Sequence, residues 1–302
     1  MIHAKKSLGQ NFLNSKAVAR DIVRAADLSD KDTVLEIGPG KGFLTAELLA
    51  SGAHVIAVEK DDRMIPLLKE KFAEEIRQEK FTLIHGDILD IACQGPTFEK
   101  EREERERERG SGTFSLSNKE KVPDPFSAAL SMRYKLVANI PYYLTGQIIR
   151  TFLESKNKPE RMILMVQKEV ATRIVARDEK ESILSIAVKV YGTPKLIKKV
   201  PARYFTPAPK VDSAILSIEN ISNANFPDKI SEKAFFEIVR TGFAHKRKVL
   251  AGNLKELFGE KTLDILKKAG VPENARAENL SLEQWLTIAQ ETHSDILKSK
   301  HI

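Results

Sequence analysis

Short apolar runs of strand length alternate with helical stretches between residues 33 and 166. Alternation of this kind predicts an α/β fold, in which a mostly parallel sheet carries helices on both faces. The predicted strands are Thr33–Ile37, His54–Val58, Phe81–His85, Lys135–Ala138 and Met162–Val166. Two further β-rich runs, Lys195–Val200 and Val211–Ile218, flank a proline-containing loop, and we expect them to pair as an antiparallel edge.

The pattern becomes purely helical after residue 220. Residues 221–227 are polar and end in a proline, which is typical of a linker. Helical periodicity then covers Glu232–Phe258, Lys261–Ala269 and Leu282–Leu297. The sequence therefore predicts two domains, a sheet domain over residues 1–220 and a small all-α domain over residues 221–302.

One segment of the first domain cannot join its core. Glu99–Arg109 contains six acidic and five basic residues and nothing apolar. We interpret residues 93–133 as a charged surface insertion, either mobile or a solvated helix, with RNA contact as the alternative.

Cysteine usage and hydropathy limit the classes of protein to which the chain can belong. Cys93 is the single cysteine, so an intrachain disulfide framework and a cysteine-rich zinc site are excluded. The six histidines show no metal-ligand spacing, and we expect no metal. No apolar run approaches the ~18 residues of a membrane span. These features predict a cytoplasmic protein with no membrane partner, and we expect a monomer.

Positive charge is concentrated in three stretches of a chain whose net charge is +7. Residues 1–24 are predominantly basic, and residues 189–210 and 240–255 contain lysines and arginines but no acid. A localised basic patch displaces counterions from phosphates, so clustering favours nucleic-acid binding. A solvated basic surface is the alternative.

A glycine-rich turn follows the first predicted strand, as Glu36-Ile-Gly38-Pro-Gly40-Lys-Gly42. A dinucleotide-binding fold would place its third glycine at Phe43, and no Walker sequence is present. Glu59 ends the second strand, where a carboxylate can accept both ribose hydroxyls, and Asp87 follows the third, where it can meet an adenine edge. Together they match an S-adenosylmethionine (SAM) site, the alternative being a tight turn with two surface acids.

The sequence Asn139-Ile-Pro-Tyr-Tyr143 follows the fourth strand. The exocyclic amine of a nucleobase is a poor nucleophile because its lone pair is delocalised into the ring. Acceptor oxygens of Asn139 and Pro141 can draw the amine toward tetrahedral geometry, and the Tyr142 ring can stack on a flipped base. A strand-to-loop turn with a buried aromatic is the structural alternative.

The sequence resembles the ribosomal RNA adenine dimethyltransferase family, the small-subunit dimethyladenosine transferases. The resemblance covers nearly the whole chain and rests on Lys5–Leu13, Glu36–Gly40, Glu59-Lys60, Gly86-Asp87, Asn139–Tyr142, Gln167–Val170, Phe205–Ser213 and Phe243–Lys248. It implies a Rossmann-like class I SAM-dependent methyltransferase with a mostly parallel seven-stranded sheet. The implied reaction transfers two methyl groups to N6 of each of two adjacent adenosines near the 3′ end of small-subunit rRNA, in a pre-ribosomal particle, and releases S-adenosylhomocysteine.

The resemblance also implies roles for individual residues. Cofactor contacts would fall on Asn11, Leu13, Gly38, Glu59, Asp87 and Asn139. The catalytic set would be Asn139, Pro141, Tyr142 and Phe205, whose ring would take the second face of the base unless it is a core aromatic. Basic residues expected to contact RNA are Lys5, Lys6, Arg240, Lys246, Arg247 and Lys248.

Two expectations concern local structure around these residues. Gln10–Leu13 precedes a helix capped by Asn14 or Ser15 and could fold over the cofactor as a lid, or serve only as an N-terminal cap. Arg240 and Arg247 lie seven residues apart in one predicted helix, so they would share a face.

Two alternatives to this function stay open. A methyltransferase of the related erythromycin-resistance type would act on large-subunit rRNA. A binding protein could instead keep the fold and act as an assembly or transcription factor without catalysis. The chain also departs from the family by its longer segment between Asp87 and Asn139, and by Glu181-Ser182 where a glycine is often found.

Overall fold

The structure is a computed structural model that describes residues 4–5, 8–92, 133–176, 179–226 and 231–299, with side chains as far as Thr292. Lys6 and residues 93–132 of the predicted insertion lie outside the described residues.

A seven-stranded sheet forms the centre of the fold, with strand order β4-β3-β2-β5-β6-β9-β7. The pairs β4–β3, β3–β2, β2–β5 and β5–β6 are parallel, which confirms the predicted fold class. A separate two-stranded sheet pairs β1 with β8 in antiparallel fashion. The strands are β1 (Phe12–Leu13), β2 (Thr33–Ile37), β3 (His54–Glu59), β4 (Phe81–His85), β5 (Lys135–Asn139), β6 (Arg161–Gln167), β7 (Thr193–Val200), β8 (Phe205–Thr206) and β9 (Ser213–Glu219).

The sheet order places a switch point between β2 and β5. From β2 the chain proceeds through β3 and β4 toward one edge, then returns to pair β5 on the opposite side of β2. The loops after β2 and β5 therefore diverge and leave a crevice at the carboxyl ends of the strands. Three of the five sheet strands predicted between residues 33 and 166, namely β2, β3 and β5, end at a predicted site residue or directly before one, and Asp87 lies two residues after β4.

Helices connect and flank these strands. In the described chain they are α1 (Lys16–Ala26), α2 (Phe43–Leu49), α3 (Met64–Lys71), α4 (Ala73–Arg77), α5 (Ile88–Ala92), α6 (Thr145–Glu154), α7 (Lys168–Ile174), α8 (Ile183–Lys189), α9 (Glu232–Gly242), α10 (Leu250–Phe258), α11 (Thr262–Lys268) and α12 (Leu282–Ser299). Ser15 caps α1 by accepting a hydrogen bond from the backbone N–H of Val18. No described helix is both long enough and apolar enough to cross a bilayer.

The prediction of one continuous helix over Glu232–Phe258 is wrong. Helix α9 ends at Gly242, residues 243–249 form turns, and α10 begins at Leu250. The side-chain amide of Asn253 donates to the carbonyl oxygens of Gly242 (2.6 Å) and His245 (3.3 Å), so it satisfies one acceptor at the helix end and one in the turn that follows. Arg240 is helical and Arg247 lies in the turn, so the two do not share a helix face.

Residue contacts divide the chain into two compact units. The first comprises residues 1–166 and 197–217, and the second comprises residues 167–196 and 218–302. The core of the first unit includes β2 and β3, whose Val34, Leu35 and Val55 are fully buried. Residues 167–196 group with the C-terminal helices, so the second unit is larger than the domain predicted over residues 221–302. The domain boundary after residue 220 stays a prediction.

Candidate active site

A cleft opens in the first unit where β2, β3, β4 and β5 end. Its walls come from the loops that follow these strands and from residues 8–13, which we call the N-terminal wall. Eight of the nine residues predicted to bind cofactor or to catalyse line this cleft together: Asn11, Leu13, Gly38, Glu59, Asp87, Asn139, Pro141 and Tyr142.

The glycine turn after β2 takes a backbone path that favours glycine. Gly38, Gly40 and Gly42 have φ angles of 66°, 56° and 69°, in the left-handed region. A Cβ atom on Gly40 would stand 3.0 Å from the Phe12 ring, and one on Gly42 would stand 2.5 Å from the Phe72 ring. The glycines therefore let the turn lie directly against both the N-terminal wall and the core.

Glu59 ends β3 as a nearly buried carboxylate. Its Oε2 accepts the backbone N–H of Gly40 at 2.9 Å, and its Oε1 accepts that of Asp61 at 2.7 Å. Burial raises the pKa of Glu59, although these two N–H groups act to lower it. Each carboxylate oxygen can accept more than one hydrogen bond, so Glu59 can still accept ribose hydroxyls.

Asp87 lies just beyond β4 and pairs with Lys60. Lys60 Nζ lies 2.5 Å from Asp87 Oδ2, and the backbone N–H of Leu89 donates to Asp87 Oδ1 at 3.0 Å. Burial acts to raise the pKa of Asp87, but Lys60 and the Leu89 N–H outweigh it, and the pKa is lower than usual. Asp87 is therefore an ionised acceptor at the cleft wall.

Asn139 ends β5 with its side-chain amide in a fixed orientation. Its Nδ2 donates to the carbonyl oxygen of Asn11 at 3.1 Å, so Oδ1 is the atom that can accept a hydrogen bond from a ligand. The carbonyl oxygen of Pro141 accepts the backbone N–H of Leu144 at 3.0 Å and has a second lone pair.

Tyr142 is half-buried at the same wall. Its hydroxyl lies 2.6 Å from Ser213 Oγ, which anchors the ring at its edge. Burial raises the pKa of the Tyr142 hydroxyl, so it stays protonated at neutral pH.

The remaining predicted residues lie elsewhere or at the surface. Phe205 does not line the cleft; its ring is 3% exposed and packs in the core with Leu13 and Ile215. That position fits the core-aromatic alternative, and the stacking role of Phe205 stays a prediction. Lys5 is exposed in the first unit. In the second unit, the exposed residues of the predicted RNA set are Arg240, Lys246, Arg247 and Lys248.

Sequence reasoning assigned no role to Glu36, although it lines the cleft. Its side chain is buried, and its Oε2 has no hydrogen-bond partner among the described residues. Burial, with the nearby charge of Glu59, raises the pKa of Glu36 to about 8. An acidic residue inside an otherwise apolar strand, directly before the glycines, was the available signal.

Two further cleft residues, Gln10 and Tyr143, belonged to segments singled out from the sequence but were assigned no role of their own. Gln10 joins the wall to Asp61 through a side-chain hydrogen bond, and Tyr143 is 64% exposed at the cleft. An exposed aromatic side chain directly after Tyr142 could have been noticed as unusual, whereas the Gln10–Asp61 contact spans fifty-one positions and has no local signal.

The cleft fits an adenosyl cofactor by the chemistry of its donors and acceptors. Glu59 and Asp87 place carboxylates after adjacent strands, as ribose hydroxyls and an adenine amine require, and the glycine turn permits close backbone approach. Within the described residues, no group of three or more His, Cys, Asp or Glu side chains could hold a metal ion.

Comparisons with known proteins give one family match and several similar relatives. A family model described as "Ribosomal RNA adenine dimethylase" matches residues 1–294. A protein of Dehalococcoides mccartyi named "Ribosomal RNA small subunit methyltransferase A" is 41% identical over 293 residues, which are 96% of this chain and 89% of that protein. A protein of the same name from Clostridium botulinum is 37% identical over 93% of this chain and 90% of its own length.

Two solved structures share the fold at low sequence identity. A dimethyladenosine transferase from Plasmodium falciparum superposes with a TM-score of 0.68 at 23% identity, over 94% of this chain and 98% of the other. The 23S rRNA methyltransferase ErmE gives a TM-score of 0.65 at 23% identity, over 93% and 98% of the two chains. At this identity the similarity concerns the fold alone.

Proposed function

The chain belongs to the ribosomal RNA adenine dimethylase family, and from that premise we propose that the cleft dimethylates N6 of two adjacent adenosines near the 3′ end of 16S rRNA. The substrate is small-subunit rRNA in a cytoplasmic pre-ribosomal particle, and the protein acts as a monomer. The observation that carries this proposal is the meeting of Asn139, Pro141 and Tyr142 with Glu59 and Asp87 in one cleft. The names of the relatives support the choice of small-subunit rRNA.

The proposed mechanism assigns binding of the cofactor to the residues that follow β2, β3 and β4. Glu59 accepts the ribose hydroxyls, Asp87 accepts the adenine amine, and the glycine turn with Asn11 and Leu13 encloses the rest. SAM, when bound, supplies an electrophilic methyl group. The enclosing wall holds water out of the cleft, which strengthens each polar contact inside it.

The residues after β5 act on the target base. In the first transfer, Oδ1 of Asn139 and the carbonyl oxygen of Pro141 accept the two N–H groups of the adenine N6 amine and so favour a tetrahedral nitrogen. In the second transfer, one of these oxygens accepts the single N–H that remains. The ring of Tyr142 stacks on the flipped base, a contact of ~1–3 kcal/mol. The N6 lone pair would take the methyl group and release S-adenosylhomocysteine, and the alkylated amine would then be acidic enough to lose its proton to water, so no strong base is needed.

Exposed lysine and arginine side chains contact the RNA outside the target base. In the first unit this residue is Lys5. In the second unit the residues that contact RNA are Arg240, Lys246, Arg247 and Lys248. Each phosphate that a cation neutralises releases counterions, so these residues supply affinity rather than selectivity.

The test is transfer of labelled methyl groups from SAM to three substrates: small-subunit particles, large-subunit particles and naked rRNA. We expect label in small-subunit particles, confined to N6 of two adjacent adenosines, and labelling that is slower by ~10²–10³ with Asn139→Ala. Label confined to large-subunit RNA would instead favour an enzyme of the erythromycin-resistance type. Binding without label in any substrate would favour a non-catalytic assembly factor.

A further inference from the structure

Asp61 is a buried carboxylate that is not among the predicted cofactor contacts, and its hydrogen bonds connect the N-terminal wall, Glu59 and the glycine turn. Asp61 lies two residues after Glu59, is 2% exposed, and does not itself line the cleft. Its Oδ2 accepts a hydrogen bond from Gln10 Nε2 at 2.8 Å, and its backbone N–H donates to Glu59 Oε1 at 2.7 Å. Glu59 in turn accepts the N–H of Gly40, so one continuous path runs from the N-terminal wall to the glycine turn.

The carboxylate of Asp61 is held in one orientation. Arg63 donates from Nε to Oδ1 at 2.8 Å and from Nη2 to Oδ2 at 2.6 Å, a two-pronged geometry that fixes both oxygens. The Arg63 guanidinium also holds the pKa of Asp61 well below its usual range, so Asp61 is ionised throughout the physiological range. Gln10 is fixed in turn, because its Oε1 accepts the backbone N–H of Lys5 at 2.8 Å and only Nε2 can face Asp61.

Other contacts also hold the N-terminal wall at the cleft, and Leu13 is buried in the core. Asn11 accepts from Asn139, the Phe12 ring lies under Lys41 Nζ at 4.9 Å, and β1 pairs with β8 over only two residues. The Gln10–Asp61 contact is the charge-assisted one, and such hydrogen bonds are about twice as strong as neutral ones. Its removal should therefore loosen the wall more than the removal of a neutral contact.

We propose that Asp61 is a positioning residue that couples the N-terminal wall to the ribose acceptor, by holding Gln10 with its carboxylate and Glu59 with its backbone N–H. Asp61 does not touch the cofactor and acts through these two residues. The inference rests on the proposed function, since it assumes that Glu59 accepts the ribose of SAM. As a consequence, SAM affinity depends on the hydrogen bond between Gln10 and Asp61, although Asp61 does not line the cleft.

The experiment is a double-mutant cycle on SAM affinity, measured by calorimetric titration of the full chain. Gln10→Ala and Asp61→Ala are each expected to raise the Kd about tenfold, the scale of one charge-assisted hydrogen bond. The double variant should also show about a tenfold rise, because both substitutions break the same contact. A rise of about a hundredfold in the double variant, or none in Gln10→Ala, would overturn the inference.

Two control variants separate positioning from general stability. Asp62→Asn removes an exposed carboxylate one position away and should leave the Kd within about twofold. Asp61→Asn keeps an oxygen that Gln10 can reach, so its Kd should lie between those of wild type and Asp61→Ala. At saturating SAM, Asp62→Asn should also retain the wild-type single-turnover rate.

Hydrogen exchange keeps the inference testable even if Asp61→Ala does not fold. Gln10 is only partly buried, so Gln10→Ala removes no core packing. Amides of residues 8–13 should exchange faster in that variant while amides of β2 and β3 do not change; unchanged exchange in residues 8–13 would contradict the role of the contact. Wild type that binds no SAM would overturn the proposed function as well, whereas normal binding in both wild type and Gln10→Ala would overturn this inference alone.

Discussion

Asn139 shows how a single side chain is prepared for chemistry by a backbone contact. Because Asn11 occupies its Nδ2, the Oδ1 atom is the one available to a substrate amine. This acceptor gains strength as the amine nitrogen becomes tetrahedral, so it lowers the barrier more than it strengthens ground-state binding.

Replacement of Asn139 should therefore affect rate rather than RNA affinity. Asn139→Ala is expected to lower the single-turnover methylation rate by ~10²–10³. RNA affinity should barely move, because phosphate contacts supply most of it. Asn157→Ala, at an exposed asparagine outside the cleft, is the matched control and should leave the rate unchanged. A fall in RNA affinity as large as the fall in rate would contradict the assignment.

Tyr142 allows the ring and the hydroxyl to be separated. Tyr142→Phe should leave the methylation rate nearly unchanged and cost about 1 kcal/mol of stability, because it removes only the hydrogen bond with Ser213. Tyr142→Ala should reduce the rate severely, since a flipped base loses its stacking platform. Ser213→Ala removes the same hydrogen bond from the other side and should resemble Tyr142→Phe in rate. A Tyr142→Phe variant as slow as Tyr142→Ala would mean that the hydroxyl is the active group.

Glu36 makes the stability of the first unit depend on pH. Its pKa is about 8 in the native state and 4.5 when unperturbed, so between these values the native state holds a proton that the unfolded state releases. Stability from this residue is therefore lost as pH rises through that window.

Glu36→Gln should remove this pH dependence, because glutamine cannot ionise. Between pH 5.5 and 8.5 the wild-type Tm should fall by about 5 °C more than that of the variant, as measured by thermal unfolding without cofactor. Glu47→Gln, at another glutamate of the same unit, is the control and should fall as wild type does. Parallel pH profiles for wild type and Glu36→Gln would place the Glu36 pKa near its ordinary value.

At the scale of elements, the spacing of apolar residues did not predict where helix α9 ends. The apolar spacing from residue 232 to residue 258 suits one long helix, yet α9 ends at Gly242. A Cβ atom at Gly242 would stand 2.4 Å from the buried Trp285 ring, whereas one at Gly252 in α10 would meet nothing within 4 Å.

These two glycines predict opposite effects of the same substitution. Gly242→Ala should destabilise the protein by ~1–3 kcal/mol, because a rigid ring fills the space its methyl group needs. Gly252→Ala should stabilise it by ~0.5–1 kcal/mol, because alanine loses less backbone entropy in a helix. Urea unfolding followed by circular dichroism measures both. No destabilisation by Gly242→Ala would contradict the packing of α9 against Trp285, and destabilisation by Gly252→Ala would contradict the open space described at α10.

At the scale of the whole molecule, RNA binding should be steeply salt-dependent because basic residues cluster in three stretches of the chain. Replacing Lys246, Arg247 and Lys248 by alanine is expected to flatten the slope of log K against log salt by ~2–3, about one for each phosphate that is no longer neutralised. SAM affinity should not change.

A matched triple variant tests whether charge location matters. Lys31, Lys69 and Lys80 are exposed lysines outside the basic stretches, and their replacement by alanine should change the slope by less than ~1. Equal slopes for both triple variants would mean that net charge governs binding. An unaltered slope in the first variant would move the RNA contact to residues 1–24 or 189–210.

Local chemistry in the sequence was enough to predict the fold class and most of the cleft. The apolar runs predicted strands within a residue or two of their observed bounds, because burial on both faces of a parallel sheet requires such runs. Glu59, Asp87 and Asn139 follow successive strands, and parallel strands bring their carboxyl ends to one edge.

Only the tertiary structure decided features that depend on residues distant in sequence. The burial of Phe205, the close approach of Gly242 to Trp285 and the contact of Gln10 with Asp61 each depend on a partner that no local pattern indicates. The raised pKa of Glu36 likewise follows from desolvation by the whole fold around it. The periodicity of apolar residues indicates which face of a helix or strand is buried, but it does not indicate which residues pack against that face. These four features depend on those distant residues, so only the tertiary structure determined them.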